Sequence, residues 1–512
     1  MKKVSMLLTG LLLIVMTGCG TQKQPTLDGR LLNYDLGEST LTDSTGREVP
    51  YQMQGVLGIP EEKNCPVVVL IHGAHPIEKA SEDRYDTGFN YLAQSLSEQG
   101  NLVISMNVAI NYSFEDGEPN GNERTRQVVA QQLERLKKAV DGDKEQFGYD
   151  LSGVGDFTKV VLMGHSRGGL DVLECAKSLP SDAQLAGIVS VAPATYKVRE
   201  TDFPNVPIGI IIPQMDGDVI SLDGSDIYEE LLADEQYTGD AELIYLKDAN
   251  HAYFNTQLTQ PDLNHNDADI AKLMPAEQQR SFLTGYLADF VKSVTTTGKP
   301  VFASASELES EAYGCDVLLR VHSGTEKRLY TVGNSASLVT AGAVTATQEI
   351  ASSLPAEHTV KTFKMPGLAF DHYALQHIVW TETGSNVTIP LAGGIGNSRF
   401  LDIDMAVDST DLKNINGQSM RLSFTDADGN IASYAVDSSA AALRWQQGEL
   451  VEQMGWDGKP MQEYSTYTPL VTLRIDLSQF SSINLSGIAS LKLSWEESAA
   501  GSIMLRSISS VV

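Results

Sequence analysis

The 512-residue sequence predicts an α/β chain in two parts, a doubly wound, mostly parallel sheet followed by an all-β sandwich. Three observations carry this. Continuous apolar, β-branched runs at 66–71, 102–108, 159–163, 185–191, 207–212 and 242–246 suit strands that are buried on both faces. Helix-like stretches at 89–99, 124–140, 168–179, 227–235 and 276–294 alternate with them, the pattern of crossover units in a parallel sheet. Beyond about residue 301 the character changes to short alternating segments such as 421–425, 432–436, 471–477, 491–495 and 502–508. Turn chemistry separates them, including Asp426, Asp428, Gly429 and Asn430, as in an antiparallel sandwich.

Taken in order, Lys2 and Lys3 precede an apolar run over 6–16 and then Thr17, Gly18 and Cys19. A charged start and a short apolar stretch read as a secretory signal, too short to span a bilayer. Met16, Thr17, Gly18 and Cys19 resemble the lipobox of bacterial lipoproteins. That resemblance implies removal of 1–18 and a diacylglyceryl group on Cys19. Two acyl chains at about 0.8 kcal/mol per buried CH2 would hold the chain to the membrane on its extracytoplasmic side, with simple secretion as the alternative. Residues 19–29 follow as a tether, 30–294 as the first domain opened by strands within 31–58, 295–304 as a linker with Pro300, and 305–512 as the sandwich.

Composition narrows the partners. A formal net charge of −29 opposes binding to nucleic acid, which needs clustered Lys and Arg to displace counterions. Cys65, Cys175 and Cys315 sit in no CxxC or Cys/His metal pattern and read as small buried apolar residues, with at most one disulfide among them. Trp380, Trp445, Trp456 and Trp495 read chiefly as sandwich core, with sugar-stacking platforms as the alternative. Asp426, Asp428 and Asn430 read as a hairpin turn rather than a calcium loop.

The chemistry centres on 160–169, where the apolar run ends in Gly164, His165, Ser166, Arg167, Gly168 and Gly169 and a helical pattern begins. A strand, a GxSxG bend and a helix in succession hold a serine in a strained conformation at the positive end of the helix. Side chains two residues to either side would collide there, so Gly164 and Gly168 are needed. A serine hydroxyl requires a base within hydrogen-bond reach, itself oriented by an acid. Downstream, His251 follows the run 242–246 at the carboxyl edge of a strand, whereas His265 lies in a polar Asn- and Asp-rich loop; His251 is the favoured base. The run ending at Ile212 leads into Asp216 and Asp218, which compete as the acid. The run ending at Ile71 leads into His72, Gly73, Ala74, His75 and Pro76. Here His72 and His75 imitate a metal pair but lack a third ligand at zinc spacing, so no metal is expected.

On Gly164, Ser166, Gly168, the His72–Gly73 loop, Asp216 and His251, residues 30–294 resemble the α/β-hydrolase superfamily, nearest to secreted lipase-, cutinase- and chlorophyllase-like esterases. The resemblance implies a Ser166–His251–Asp216 triad, Asp216 matching the family's acid by a valine three residues on, with Asp218 as the alternative. It implies an oxyanion hole formed by the backbone N–H groups of Arg167 and Ala74, an ester substrate, and no cofactor. Only some twenty to thirty residues separate the strands that carry the acid and the base. That leaves no room for a large amphipathic lid and disfavours emulsified fat as substrate. The polar stretch 107–123 follows a central strand and is a candidate cleft wall. The second half resembles the jelly-roll modules of secreted carbohydrate-active enzymes. The competing reading is a glycan- or protein-binding lipoprotein that uses the first domain as a scaffold; acyl transfer to an alcohol other than water is a third.

Overall fold

The computed structural model describes residues 27–42, 45–113, 123–194, 203–219, 221–262, 270–333, 338–351, 373–391, 394–446, 450–454, 460–464, 468–488 and 490–512. Cys19, His265, Trp456 and most of the polar stretch 107–123 lie outside them. The first domain is built on ten strands: β1 Leu31–Thr42, β2 Glu48–Gly58, β3 Cys65–Ile71, β4 Leu102–Met106, β5 Gly155–His165, β6 Leu185–Val191, β7 Ile208–Pro213, β8 Ala241–Leu246, β9 Glu311–Ala312 and β10 Cys315–His322. Their spatial order is β1-β2-β4-β3-β5-β6-β7-β8-β10-β9. Strands β4, β3, β5, β6, β7 and β8 run parallel, while β1, β2 and β10 are antiparallel to their neighbours. This is the doubly wound, mostly parallel sheet that the alternating pattern predicts.

Burial on both faces explains the unbroken apolar runs. In β3, Val67, Val69 and Ile71 point into one core cluster, together with residues of α2 (Glu123–Val140) and α3 (Arg167–Cys175). Val68 and Leu70 point into the other, with α1 (Asn90–Glu98) and the long C-terminal helix Ala276–Thr297. A polar residue on either face needs a partner in the layer above it, as Glu242 of β8 has in the Tyr286 hydroxyl of the last helix at 2.8 Å.

The expected boundary at 294–305 does not coincide with the end of this sheet. The last helix continues to Thr297, where Gly298 at φ +71° ends it in the left-handed conformation. The supposed linker is pinned to the sheet, because Glu242 of β8 accepts from the backbone N–H of Phe302 at 2.6 Å and of Ala303 at 2.9 Å. Residues 311–322, expected in the sandwich, then cover the edge of β8, with Val317 opposite Leu246 and His322 opposite Ala241. An exposed β8 edge would offer unpaired backbone groups, and β10 closes it.

The second domain is antiparallel throughout its described strands. One sheet runs in the order Val344–Ala351, Tyr373–Trp380, Gly501–Val511, Phe400–Val407, Val471–Asp476, with Lys327–Thr331 also paired to Gly501–Val511. The other runs Val339–Ala341, Asn386–Pro390, Ser490–Ser494, Met420–Thr425, Ile431–Val436. Trp380 and Trp495 stack with ring centroids 4.2 Å apart and are fully buried, so both belong to the core and neither is available to a sugar. Trp445 is half-buried and donates to the Ser409 carbonyl. Asp426 accepts from the backbone of Asp428 and Asn430 within the hairpin joining 420–425 to 431–436, the turn expected there. The three cysteines, Cys65, Cys175 and Cys315, are buried and unpaired.

A buried ion cluster joins the two parts. Arg320 on β10 pairs with Glu229 on α4 (Gly224–Ala233) and, at 2.8 Å, with Asp404 of the sandwich; Arg506 reaches Glu229 at 3.0 Å. Burial raises the Glu229 carboxyl, yet the two guanidiniums outweigh it and hold it at about 2. Loss of any one member would leave an uncompensated charge in the interior.

Candidate active site

The site lies where β3, β5, β7 and β8 end. Ser166 stands between β5 and α3 at φ 59°, ψ −129°, a conformation that an L-residue holds only under constraint. The constraint is visible in its hydrogen bonds. Its N–H donates to the Val191 carbonyl at 2.9 Å, and its own carbonyl accepts from Gly169 at 2.8 Å and Ala194 at 3.2 Å. The two motif glycines allow the bend, since a Cβ on Gly164 would lie 1.9 Å from the Gly168 carbonyl oxygen and one on Gly168 2.6 Å from that of His72. Arg167 is the first residue of α3, so its N–H is one of those at a helix start that have no acceptor within the helix itself.

The loop after β3 presses on the serine from the other side. A Cβ on Gly73 would fall 2.4 Å from Ser166 Cβ and 2.9 Å from its Oγ, which brings the backbone leading to Ala74 against the hydroxyl. His72 locks this loop in place: its Nδ1 donates to the Gly73 carbonyl at 2.9 Å and its Nε2 accepts from the Val108 N–H at 3.0 Å. Burial keeps its imidazole below the usual range and hence neutral. Gly73→Ala is therefore expected to displace Ser166. Overpacking of this kind costs about 1–3 kcal/mol of stability, and misplacement of a reacting group costs on the order of 100-fold in turnover. Thermal unfolding and ester turnover measured together check both parts.

His251 and the two aspartates converge on the same place. His251 Nδ1 lies 2.9 Å from Asp216 Oδ2, with both side chains buried. The other carboxyl oxygen of Asp216 accepts from the backbone N–H of Asp218 at 3.0 Å and Val219 at 2.6 Å, so the acid is fixed by its own turn. Asp218 is exposed and stands 3.5 Å from His251 Nε2. That nitrogen is buried and has no hydrogen-bond partner. Among the described residues Ser166 Oγ likewise has none, so serine and imidazole are not yet joined.

The electrostatics of His251 follow from this crowd of carboxylates. Burial pulls its pKa down, but the charge and hydrogen bond of Asp216, followed by the charges of Asp218 and Asp262, push it up to about 9. Its other neighbours are imidazoles. The His165 ring lies 4.7 Å from that of His251 and the His75 ring 5.6 Å from that of His165; both are held well below the usual range, first by burial and then by the His251 charge or its neighbours.

The structure thus brings His251, Asp216 and Asp218 together and sets Gly73 against Ser166, with His165, the residue before the serine, bonded to the His251 carbonyl. Sequence reasoning missed two residues of this region. His165, inside the GxSxG bend, donates from Nε2 to the His251 carbonyl at 3.0 Å and ties the histidine loop to the serine; its place in the motif was the available signal. Asp262 had no local signal at all. Among the described residues, no cluster of three or more His, Cys, Asp or Glu side chains has the arrangement of a metal site.

No protein-family model matches the chain, and no curated protein matches it. Solved structures similar to parts of it include a dienelactone hydrolase from Anabaena variabilis, 16% identical, with 43% of this chain and 88% of that one covered at a TM-score of 0.29. A hyperthermophilic esterase from the archaeon Pyrobaculum calidifontis is 13% identical, with 52% and 87% covered at 0.32. A family 11 carbohydrate-binding module from Clostridium thermocellum is 11% identical, with 36% and 95% covered at 0.22.

Proposed function

We propose that the chain is an extracytoplasmic serine hydrolase that cleaves carboxylic esters through an acyl-enzyme. The observation that carries this is the 2.9 Å contact between Asp216 and His251 Nδ1, in a loop that His165 ties to the strand-to-helix bend holding Ser166 at φ 59°. In this reading Asp216 holds the imidazole with its Nδ1 as donor, leaving Nε2 to accept the Ser166 proton. Ser166 attacks the ester carbonyl, and the N–H groups of Arg167 and Ala74 receive the developing oxyanion. His251 then returns the proton to the departing alcohol, and water repeats the sequence on the acyl-enzyme. The unpartnered Nε2 and Oγ are consistent with a resting site whose catalytic hydrogen bond forms once substrate is bound. Attachment to the membrane through a lipid on Cys19 belongs to the same proposal.

Hydrolysis of a p-nitrophenyl ester series of increasing chain length tests it. With an imidazole at about 9, only the unprotonated fraction acts as base, and that fraction grows as pH rises. The ratio kcat/KM is therefore expected to climb from pH 7 and level off above pH 9. A chain that binds these esters without turnover at any pH up to 10 would instead be the scaffold of the competing reading.

A further inference from the structure

Asp262 lies 11 residues beyond His251 and 46 beyond Asp216, yet its carboxylate sits between the two loops that carry them. Oδ2 accepts from the Gly217 N–H at 2.6 Å and from the His251 N–H at 3.2 Å, and Oδ1 accepts from the Ala252 N–H at 3.1 Å. Gly217 directly follows Asp216, so one side chain grips the backbone beside the acid and beside the base at once. Three N–H groups on one carboxylate make a charge-assisted clamp, which neither loop can supply for itself. Among the described residues the flanks of the loops also meet through Gln214 N–H to the Leu246 carbonyl at 2.8 Å, Met215 N–H to the Ala249 carbonyl at 2.7 Å and Asp248 N–H to Gln214 Oε1 at 3.0 Å.

We propose that Asp262 is a positioning residue of the hydrolytic site, clamping the acid and histidine loops so that Asp216 stays in register with His251 Nδ1 and adding negative charge beside the imidazole. The inference rests on the serine hydrolase reading above. The groups facing His251 are Asp216 and Asp218 from the acid loop, Asp262 itself, His165 from the serine bend and, beyond it, His75 from the loop after β3. The Asp262 carboxyl is pushed up to about 6, first by burial and then by the Asp216 charge, so it is ionised across the alkaline range in which His251 titrates.

Asp262→Asn removes the charge and turns one acceptor into a donor that faces backbone N–H groups, with almost no change in size. The expected result is a fall in kcat on the order of 10- to 100-fold with KM unchanged, since the clamp acts on the reacting groups and not on substrate. The acid limb of kcat/KM should also move to lower pH, because the imidazolium has lost one stabilising charge. Asp262→Glu keeps both charge and acceptors. It should leave the limb where it is in the unaltered protein and recover most of kcat, and it serves where the Asn variant does not fold. All are assayed beside Ser166→Ala. Unaltered protein no faster than Ser166→Ala overturns the hydrolase reading itself. Unaltered protein that is active, with an Asn variant matching it in kcat and limb position, overturns the role of Asp262 alone. So does a Glu variant whose limb shifts to lower pH.

Discussion

Ser166→Ala is expected to lower ester turnover by on the order of a millionfold, the loss known for serine hydrolases deprived of their nucleophile and equivalent to about 8 kcal/mol of transition-state stabilisation. The substitution is unusually clean here. Alanine and serine face the same backbone cost at φ 59°, so the strain is unaltered. Among the described residues the hydroxyl has no hydrogen-bond partner whose loss would orphan a buried group, so the unfolding temperature should barely move. Residual turnover well above the uncatalysed rate should survive, because the N–H groups of Arg167 and Ala74 do not depend on the hydroxyl. Steady-state turnover and differential scanning calorimetry on the two proteins measure these quantities. Equal turnover in both would mean that some other group performs the reaction.

How much of this was legible in the sequence depends on how far each determinant reaches along the chain. The parallel strands were legible because burial on both faces leaves a continuous apolar run, as in Val67–Ile71. The serine bend was legible because its steric requirements are met by glycines two residues away. His251 was legible through the strand that precedes it and because only His251 and His265 follow Ser166 within 30–294. Strand β10 was placed in the sandwich because residues 295–304 read as a linker, while what ties it to the first domain is distant in sequence: its pairing with β8 and the ion pair of Arg320 with Glu229, 91 positions away. Asp262 was invisible on the same grounds, since an isolated aspartate in a polar loop acquires meaning only through the N–H groups folded against it. Local sterics and periodicity are written in neighbouring residues, whereas long-range charge pairing is not.

The competition between Asp216 and Asp218 shows the same limit, and mutation separates the two with a large difference in effect. Asp216→Asn is expected to lower kcat by on the order of 10,000-fold, following the precedent of the serine protease triad. The orientation of the new amide is predictable. Backbone N–H groups of Asp218 and Val219 already donate to Oδ1 at 3.0 and 2.6 Å, so the amide oxygen is retained there and the NH2 group is turned toward His251. A donor opposite Nδ1 forces the imidazole proton onto Nε2, which then offers a hydrogen to Ser166 where it should offer a lone pair. Asp218→Asn makes no such demand. Its side chain is exposed and faces Nε2 at 3.5 Å, so the variant should retain kcat above pH 9 and differ only in an acid limb moved to lower pH, as one of the charges that raise His251 is removed. If Asp218 were instead the orienting acid, the two results would be exchanged: Asp216→Asn would remain active at alkaline pH and Asp218→Asn would not. The pH–rate profiles of the two variants decide it, because a wrong tautomer lowers the plateau while a lost charge only shifts the limb.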